Sequence, residues 1–193
     1  ALVFSGQGAQ YAGMGKSLYD NNTSAKEVFD RAGDQIKRYC FHGTEEELQR
    51  TDITQPCIYT ATIAALEAFK ECCSAEIKAV AGFSLGEYAA LTAAGVFDFD
   101  TGLSLITKRG QWMEQAGGGK GKMAAVLGDR EKLLTVLEEA KGEGVILPVN
   151  YNCPGQTVVA GENKPMELFL EKAPGTGLKV IPLKVSGAFH SPM

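Results

Sequence analysis

Apolar and polar positions along this chain switch between a helical period and an alternating one, and the switches mark out its elements. It opens on Ala1-Leu2-Val3-Phe4, a short apolar run that reads as a strand. Ser5-Gly6-Gln7-Gly8-Ala9-Gln10 follows as a glycine-rich turn. From Ser24 to Ile36 apolar residues recur at helical spacing, and Thr44-Glu45-Glu46-Glu47 is a capping box opening a short helix that ends near Thr51. Thr54-Gln55-Pro56 is expected to begin a long helix, with proline in the first turn and Ile58, Ala61, Ala65, Leu66 and Phe69 on the inner face.

Ile77 to Ala81 reads as a short buried strand. Leu85 to Ala94 reads as an alanine-rich helix stopped by Gly95. A further helix is predicted from Phe99 to Glu114, with Leu103, Ile106, Trp112 and Met113 in the core. Gly117-Gly118-Gly119-Lys120-Gly121 reads as a flexible hinge, and the pattern changes after it. Met123–Leu127, Val145–Asn150, Gln156–Ala160 and Lys179–Val185 read as strands, and Arg130–Ala140 and Pro165–Lys172 as helices. The resulting β-α-β-β-α-β order is the ferredoxin-like arrangement.

The expected fold is therefore α/β: a larger α/β-hydrolase-like body with a parallel sheet over residues 1–116, and a small ferredoxin-like subdomain over 117–185. Residues 186–193 would return to the body. With no initiator Met before the first strand, and a polar tail ending at Met193, the chain reads as trimmed at both ends, with further body elements absent after the tail.

Composition narrows the class. Of 193 residues, 45% are hydrophobic and 22% charged, as in an ordinary globule with a sizeable core. A net charge of −4 without a basic face argues against nucleic acid as the main partner. Five cysteines lacking C-x-x-C spacing suit unpaired thiols in a reducing cytoplasm better than disulfides or a metal site. No apolar run reaches membrane-spanning length, so no membrane partner is expected.

The chemistry concentrates around Gly82-Phe83-Ser84-Leu85-Gly86. Strand, sharp turn and helix, with Ser at the apex and Gly two residues to either side, form the nucleophile-elbow context. Ser84 is the candidate nucleophile, and the start of the following helix points the Leu85 N–H at charge developing beside it. A serine hydroxyl needs a base, and the chain has two histidines. His42 reads as loop decoration ahead of the capping box. His190 follows the last strand and becomes the candidate base by elimination and chain order. The Gly6-Gln7-Gly8 turn is either a plain tight turn or a second oxyanion donor through the Gln7 N–H; spacing leaves both open. It fails the dinucleotide fingerprint, because Tyr11 stands where the last glycine is needed. Arg109 is either a surface cation whose stem covers apolar area or a fork for a substrate carboxylate. Gln55 reads first as a helix-start residue.

Taken together, Phe4 to Gln10 with Gly13-Met14-Gly15, Thr54-Gln55-Pro56, Gly82 to Tyr88, Lys108-Arg109-Gly110, Asn152 to Gly161 and Gly187-Ala188-Phe189-His190-Ser191 resemble the malonyl-CoA:acyl-carrier-protein transacylase family of fatty-acid and polyketide synthesis. The segments run in family order from end to end. The resemblance implies ping-pong acyl transfer on a Ser84–His190 pair, with Gln7 and Leu85 as the oxyanion hole. It implies that Arg109 pairs with the malonyl carboxylate, that Gln55 has a supporting role in the pocket, and that Phe189 disfavours an α-methyl group. A coenzyme A thioester would be substrate rather than resident cofactor, malonyl-CoA and an acyl carrier protein the partners, and the setting cytoplasmic. Phe83 departs from the family, which usually carries His there, and the family continues past His190 with a residue that orients the histidine. The rivals are a serine thioesterase or hydrolase sharing the elbow, and a non-catalytic fragment that binds carrier protein.

Overall fold

A computed structural model describes residues 1–193. The chain divides into two compact units, Ala1–Trp112 and Met113–Met193.

In the first unit, β1 (Leu2–Phe4) pairs in parallel with β2 (Val80–Gly82), Leu2 opposite Val80 and Phe4 opposite Gly82. The second strand is shorter than the pattern suggested: Ile77 to Ala79 stay outside it, and Ile77 is exposed. Helices α1 (Lys16–Asn21), α2 (Thr23–Ala32), α3 (Asp34–His42), α4 (Glu45–Gln49), α5 (Thr51–Cys72), α6 (Gly86–Ala93) and α7 (Phe99–Gly117) complete the element list, and the unit boundary falls inside α7. Phe29, Tyr59, Ile63, Leu85 and Ile106 are buried at the centre of its core.

Four details correct the sequence reading. The periodic stretch 24–36 is two helices, because Gly33 at φ 92° breaks the spiral where a side chain would be strained. His42 is the last residue of α3, edge-on to Phe41, so it is helical rather than in a loop. The long helix starts at Thr51, which puts Pro56 inside it rather than in its first turn. Proline there has no N–H to return to the Asp52 carbonyl, so one ladder bond is missing near the helix start. Finally, Ala65 and Phe69 do not join Ile58 and Leu66 in the core; with Leu2, Val3, Tyr11 and Ala61 they line an apolar groove of about 440 Å³ beside β1.

Helix α7 lies against α5 through its glycines. A Cβ on Gly102 would stand 2.0 Å from the Tyr59 hydroxyl, and one on Gly110 would stand 2.9 Å from the Thr51 carbonyl oxygen. Contacts 102 to 59 and 110 to 51 make the two helices antiparallel. Gly102, Ile106 and Gly110 form the buried stripe, and Trp112, off that stripe, is 66% exposed rather than core. Asp98 starts the helix by accepting the Thr101 N–H at 2.8 Å.

The second unit holds β3 (Gly121–Leu127), α8 (Arg130–Lys141), β4 (Ile146–Cys153), β5 (Gln156–Glu162), α9 (Asn163–Lys172) and β6 (Lys179–Pro182). Its four strands lie in the order β4-β5-β3-β6, every neighbouring pair antiparallel. Pro154-Gly155 closes the β4–β5 hairpin between paired Cys153 and Gln156, with Gly155 at the φ of 83° that a type II turn requires. Alternation along β3 sorts the two faces. Ala124 and Val126 face a core with Leu133, Val136, Leu137 and Phe169 of the helices, while Met123 and Ala125 face Val158, Ala160 and Ala188. Strand β6 stops at Pro182, short of the expected Val185, and residues 185–189 instead cover the second face with Val185, Ala188 and Phe189.

Candidate active site

The elbow follows from backbone geometry that only glycine permits at two points. Ser84 has φ 53°, a left-handed conformation uncommon for any residue with a side chain. Its turn is compressed from both sides. A Cβ on Gly82 would stand 2.1 Å from the Gly86 carbonyl, and one on Gly86 would stand 2.3 Å from the Phe4 carbonyl oxygen. Glycines two residues before and after Ser84 are therefore needed so that α6 can start directly over the end of β1. Gly86 donates to the Phe83 carbonyl at 2.9 Å, Glu87 to that of Ser84 at 3.2 Å and Tyr88 to that of Leu85 at 3.1 Å, closing the first turn. The Leu85 N–H precedes this ladder and stands next to Ser84 at the positive end of the helix, while the Leu85 side chain anchors the turn at 1% exposure.

Arg109 is brought to this turn by the close approach of α7 to α5. Its Nη2 donates to Ser84 Oγ at 3.1 Å and its Nη1 donates to Gln55 Oε1 at 2.7 Å. Gln55 lies on the buried side of α5 at 1% exposure, and its Nε2 donates in turn to Gln7 Oε1 at 3.5 Å. Four side chains from four parts of the sequence thus form one polar chain: Gln7, Gln55, Arg109, Ser84. The guanidinium also lies 5.8 Å from the centroid of the Tyr88 ring. Burial pushes the Arg109 pKa down from its ordinary value, while Tyr88 and Glu87 oppose the shift. An arginine stays charged through such a shift. A half-buried guanidinium whose hydrogens reach a serine hydroxyl stabilises negative charge on that oxygen and on any anionic group bonded near it.

Ser84, Leu85, Arg109, Gln55 and Gln7 thus gather in the first unit, and the surface-cation and helix-start readings give way to a half-buried Arg109 bonded to a buried Gln55. Tyr88 was missed: its place in the motif was visible, but its ring beside Arg109 depends on how α6 and α7 pack. Gly110 was visible only as part of a matching string, whereas its function is to let the neighbouring Arg109 reach across to α5.

Phe189 and His190 belong to the second unit. His190 sits in a turn at φ 61° with an exposed side chain, and the turn is tied by Ser191 Oγ donating to the Ala188 carbonyl oxygen at 2.5 Å. Phe189 is half-buried beside Ala188 and packs on the sheet face that carries Met123. Ser186 Oγ donates to Glu114 Oε2 at 3.0 Å and fixes the start of this segment. All five cysteines are free thiols, and no helix is long and apolar enough to cross a membrane.

The comparisons with known proteins agree among themselves. The family model described as "Acyl transferase domain" matches residues 1–193. The malonyl CoA-acyl carrier protein transacylase of Bacillus subtilis (strain 168) is 44% identical over 199 residues, which cover 99% of this chain and 62% of that protein. Among solved structures, the malonyl CoA-acyl carrier protein transacylase of Clostridium perfringens superposes with a TM-score of 0.91 at 38% identity, over 99% of this chain and 62% of that one. A malonyl-transacylase solved in complex with a type II polyketide acyl-carrier protein gives 0.90 at 35% identity, over 97% of this chain and 63% of that one. The chain thus spans less than two thirds of the length of these relatives.

Proposed function

Because the chain belongs to the acyl transferase domain family, we propose that it carries the nucleophile, carboxylate-binding and base residues of a malonyl transferase that loads an acyl carrier protein from malonyl-CoA. Ser84 Oγ attacks the thioester carbonyl and passes its proton to His190, and the oxyanion accepts from the Gln7 and Leu85 N–H groups. When the C–S bond breaks, His190 returns the proton to the departing coenzyme A thiolate, leaving malonyl-Ser84. The phosphopantetheine thiol of the carrier protein then gives its proton to His190 and attacks the ester carbonyl, and the C–O bond breaks with the proton returned to Ser84 Oγ.

The observation that carries this reading is the Arg109 guanidinium bonded to both Ser84 Oγ and Gln55. In a malonyl ester the free carboxylate carbon lies three bonds from the serine oxygen. A guanidinium already within 3.1 Å of that oxygen is well placed to exchange the hydroxyl for the carboxylate. Gln55 holds one side of the guanidinium so that the other side faces the ester. Phe189 limits bulk at the α-carbon. The names of its relatives, a malonyl CoA-acyl carrier protein transacylase and a malonyl-transacylase solved with its acyl-carrier protein, support malonyl-CoA as donor and acyl carrier protein as acceptor.

The parallel β1–β2 pair leading into an elbow supports an α/β-hydrolase-like body, and the β4-β5-β3-β6 order supports a ferredoxin-like subdomain. Five free thiols favour a cytoplasmic setting, and the coenzyme A thioester is substrate rather than a resident cofactor.

The test is isotope-labelled malonyl-CoA supplied to the full-length protein, with the adduct located by mass spectrometry and the products separated. Label on Ser84 that passes to carrier protein is the expected result. Label released only as free malonate would make the protein a hydrolase, and a folded protein that never acquires label would end the acyl-enzyme reading.

A further inference from the structure

Phe83 stands immediately before the nucleophile, and its ring does something the elbow geometry alone does not require. The parallel ladder between β1 and β2 ends with the Phe83 N–H donating to the Phe4 carbonyl at 3.0 Å. Beyond that bond one chain leads to Ser84 and the other into the turn that carries Gln7, with Gly6 still packed against Phe83. Phe83 covers Gly6 with both ring and backbone: a Cβ on Gly6 would stand 2.6 Å from Phe83 Cδ1 and 2.7 Å from the Phe83 carbonyl oxygen. The ring therefore lies against the Gly6 backbone, one residue before Gln7, and only a glycine at position 6 leaves room for it and for the Phe83 carbonyl.

The far end of the same turn is held separately. Gly8 donates to Gln10 Oε1 at 2.8 Å, and Gln10 Nε2 reaches the Leu48 carbonyl at 3.2 Å. At Gln7 itself the side chain is reached by Gln55 at a long 3.5 Å, which leaves its backbone to be fixed from the two ends. Gly8 at φ 110° makes the turn pliable. A pliable backbone that must present an N–H to within a few tenths of an ångström needs restraint on both sides.

We propose that Phe83 is a positioning residue of the acyl-transfer step: its ring, laid on Gly6, holds the Gln7 N–H beside the Ser84 hydroxyl. This rests on the acyl-enzyme reading above. A displacement of about 1 Å in such a donor costs roughly a hundredfold in rate. The contact acts at the thioester end of the substrate, away from the carboxylate that Arg109 would hold.

The experiment measures malonyl and acetyl transfer to carrier protein by the full-length protein and its Phe83→Ala variant, with unfolding midpoints recorded alongside. Expected are a fall in kcat of about ten- to a hundredfold, KM within about twofold, and the same factor for both acyl groups. Phe83→Tyr keeps the ring and should recover most of the loss. Phe83→Leu keeps apolar bulk without the flat ring, and it carries the same measurement if the alanine variant does not fold. An unchanged kcat, a loss confined to malonyl, or a loss that tyrosine does not restore would overturn the positioning role while leaving the wild-type activity intact. A wild-type protein that transfers neither acyl group overturns the acyl-enzyme reading itself, so the two failures are told apart.

Discussion

The two units, Ala1–Trp112 and the shorter Met113–Met193, solve different packing problems. The second spreads its side chains over a four-stranded antiparallel sheet, regular in register between β3 and β5 and shifted twice between β4 and β5, and its glycines mostly mark turns or bends. The first has two short strands and seven helices, and it spends glycines on close approaches: Gly82 on Gly86, Gly86 on Phe4, Gly102 on Tyr59, Gly110 on Thr51. Each approach brings backbone or a polar side chain to the Ser84 turn or to the helix that carries Arg109. The contrast teaches where the Ser84–Arg109 polar cluster is assembled: at the crowded junctions of the first unit, while the sheet of the second carries the packed segment around Ala188 and Phe189.

The sharpest way to break that contrast is at Ser84. Ser84→Ala removes the proposed nucleophile and should lower malonyl transfer on the order of 10⁶-fold, read as loss of the labelled acyl-enzyme. Residual transfer near the wild-type rate would place the chemistry elsewhere. Next in size is a core change in the second unit: Phe169→Ala, at 0% exposure, should cost about 3–5 kcal/mol in denaturant unfolding. A loss under about 1 kcal/mol would mean that this unit does not depend on its own core.

Arg109→Ala should reduce malonyl transfer about a hundredfold while reducing acetyl transfer far less, because only malonyl presents a carboxylate. Equal losses for the two acyl groups would remove the carboxylate role. The smallest effect is expected at the capping box of α4, where Thr44 Oγ1 accepts the Glu47 N–H and Glu47 Oε2 accepts the Thr44 N–H. Thr44→Ala should cost about 1 kcal/mol at neutral pH. Arg38 first, and then the Thr44 N–H, hold the Glu47 carboxyl below its usual range. Its contribution is therefore complete above the unfolded value of about 4.3 and fades as the pH falls through the lower folded value. A Glu47→Gln variant as stable as wild type at neutral pH would show that the ion pair contributes nothing.

Legibility from sequence followed the same division. Over residues 121–182 short apolar runs bounded by turn residues, with two helical stretches between them, let strand, helix, strand, strand, helix, strand be read off, with errors confined to ends such as Val185. The first unit was harder, because its boundaries are set by tertiary contacts rather than by period. Gly33 splits what looks like one helix, and Pro56 sits where a helix start was expected. Trp112 looks like core by composition and is exposed because α7 turns its glycine stripe inward. Of the site, the Ser84 elbow was visible locally. The bonds from Arg109 to Ser84 and Gln55 were not, since they link residues far apart in the chain whose meeting depends on two helices touching at Gly110.

Strand β1 pairs on one side only, Val3 is 79% exposed, and the apolar groove runs alongside it. The Val3 amide and carbonyl on the open edge, beside an oily trough, invite sticking between molecules. Handled as an isolated 193-residue polypeptide, the material should therefore be sensitive to concentration. Placing a lysine at Val3 would be a direct means of keeping it dispersed.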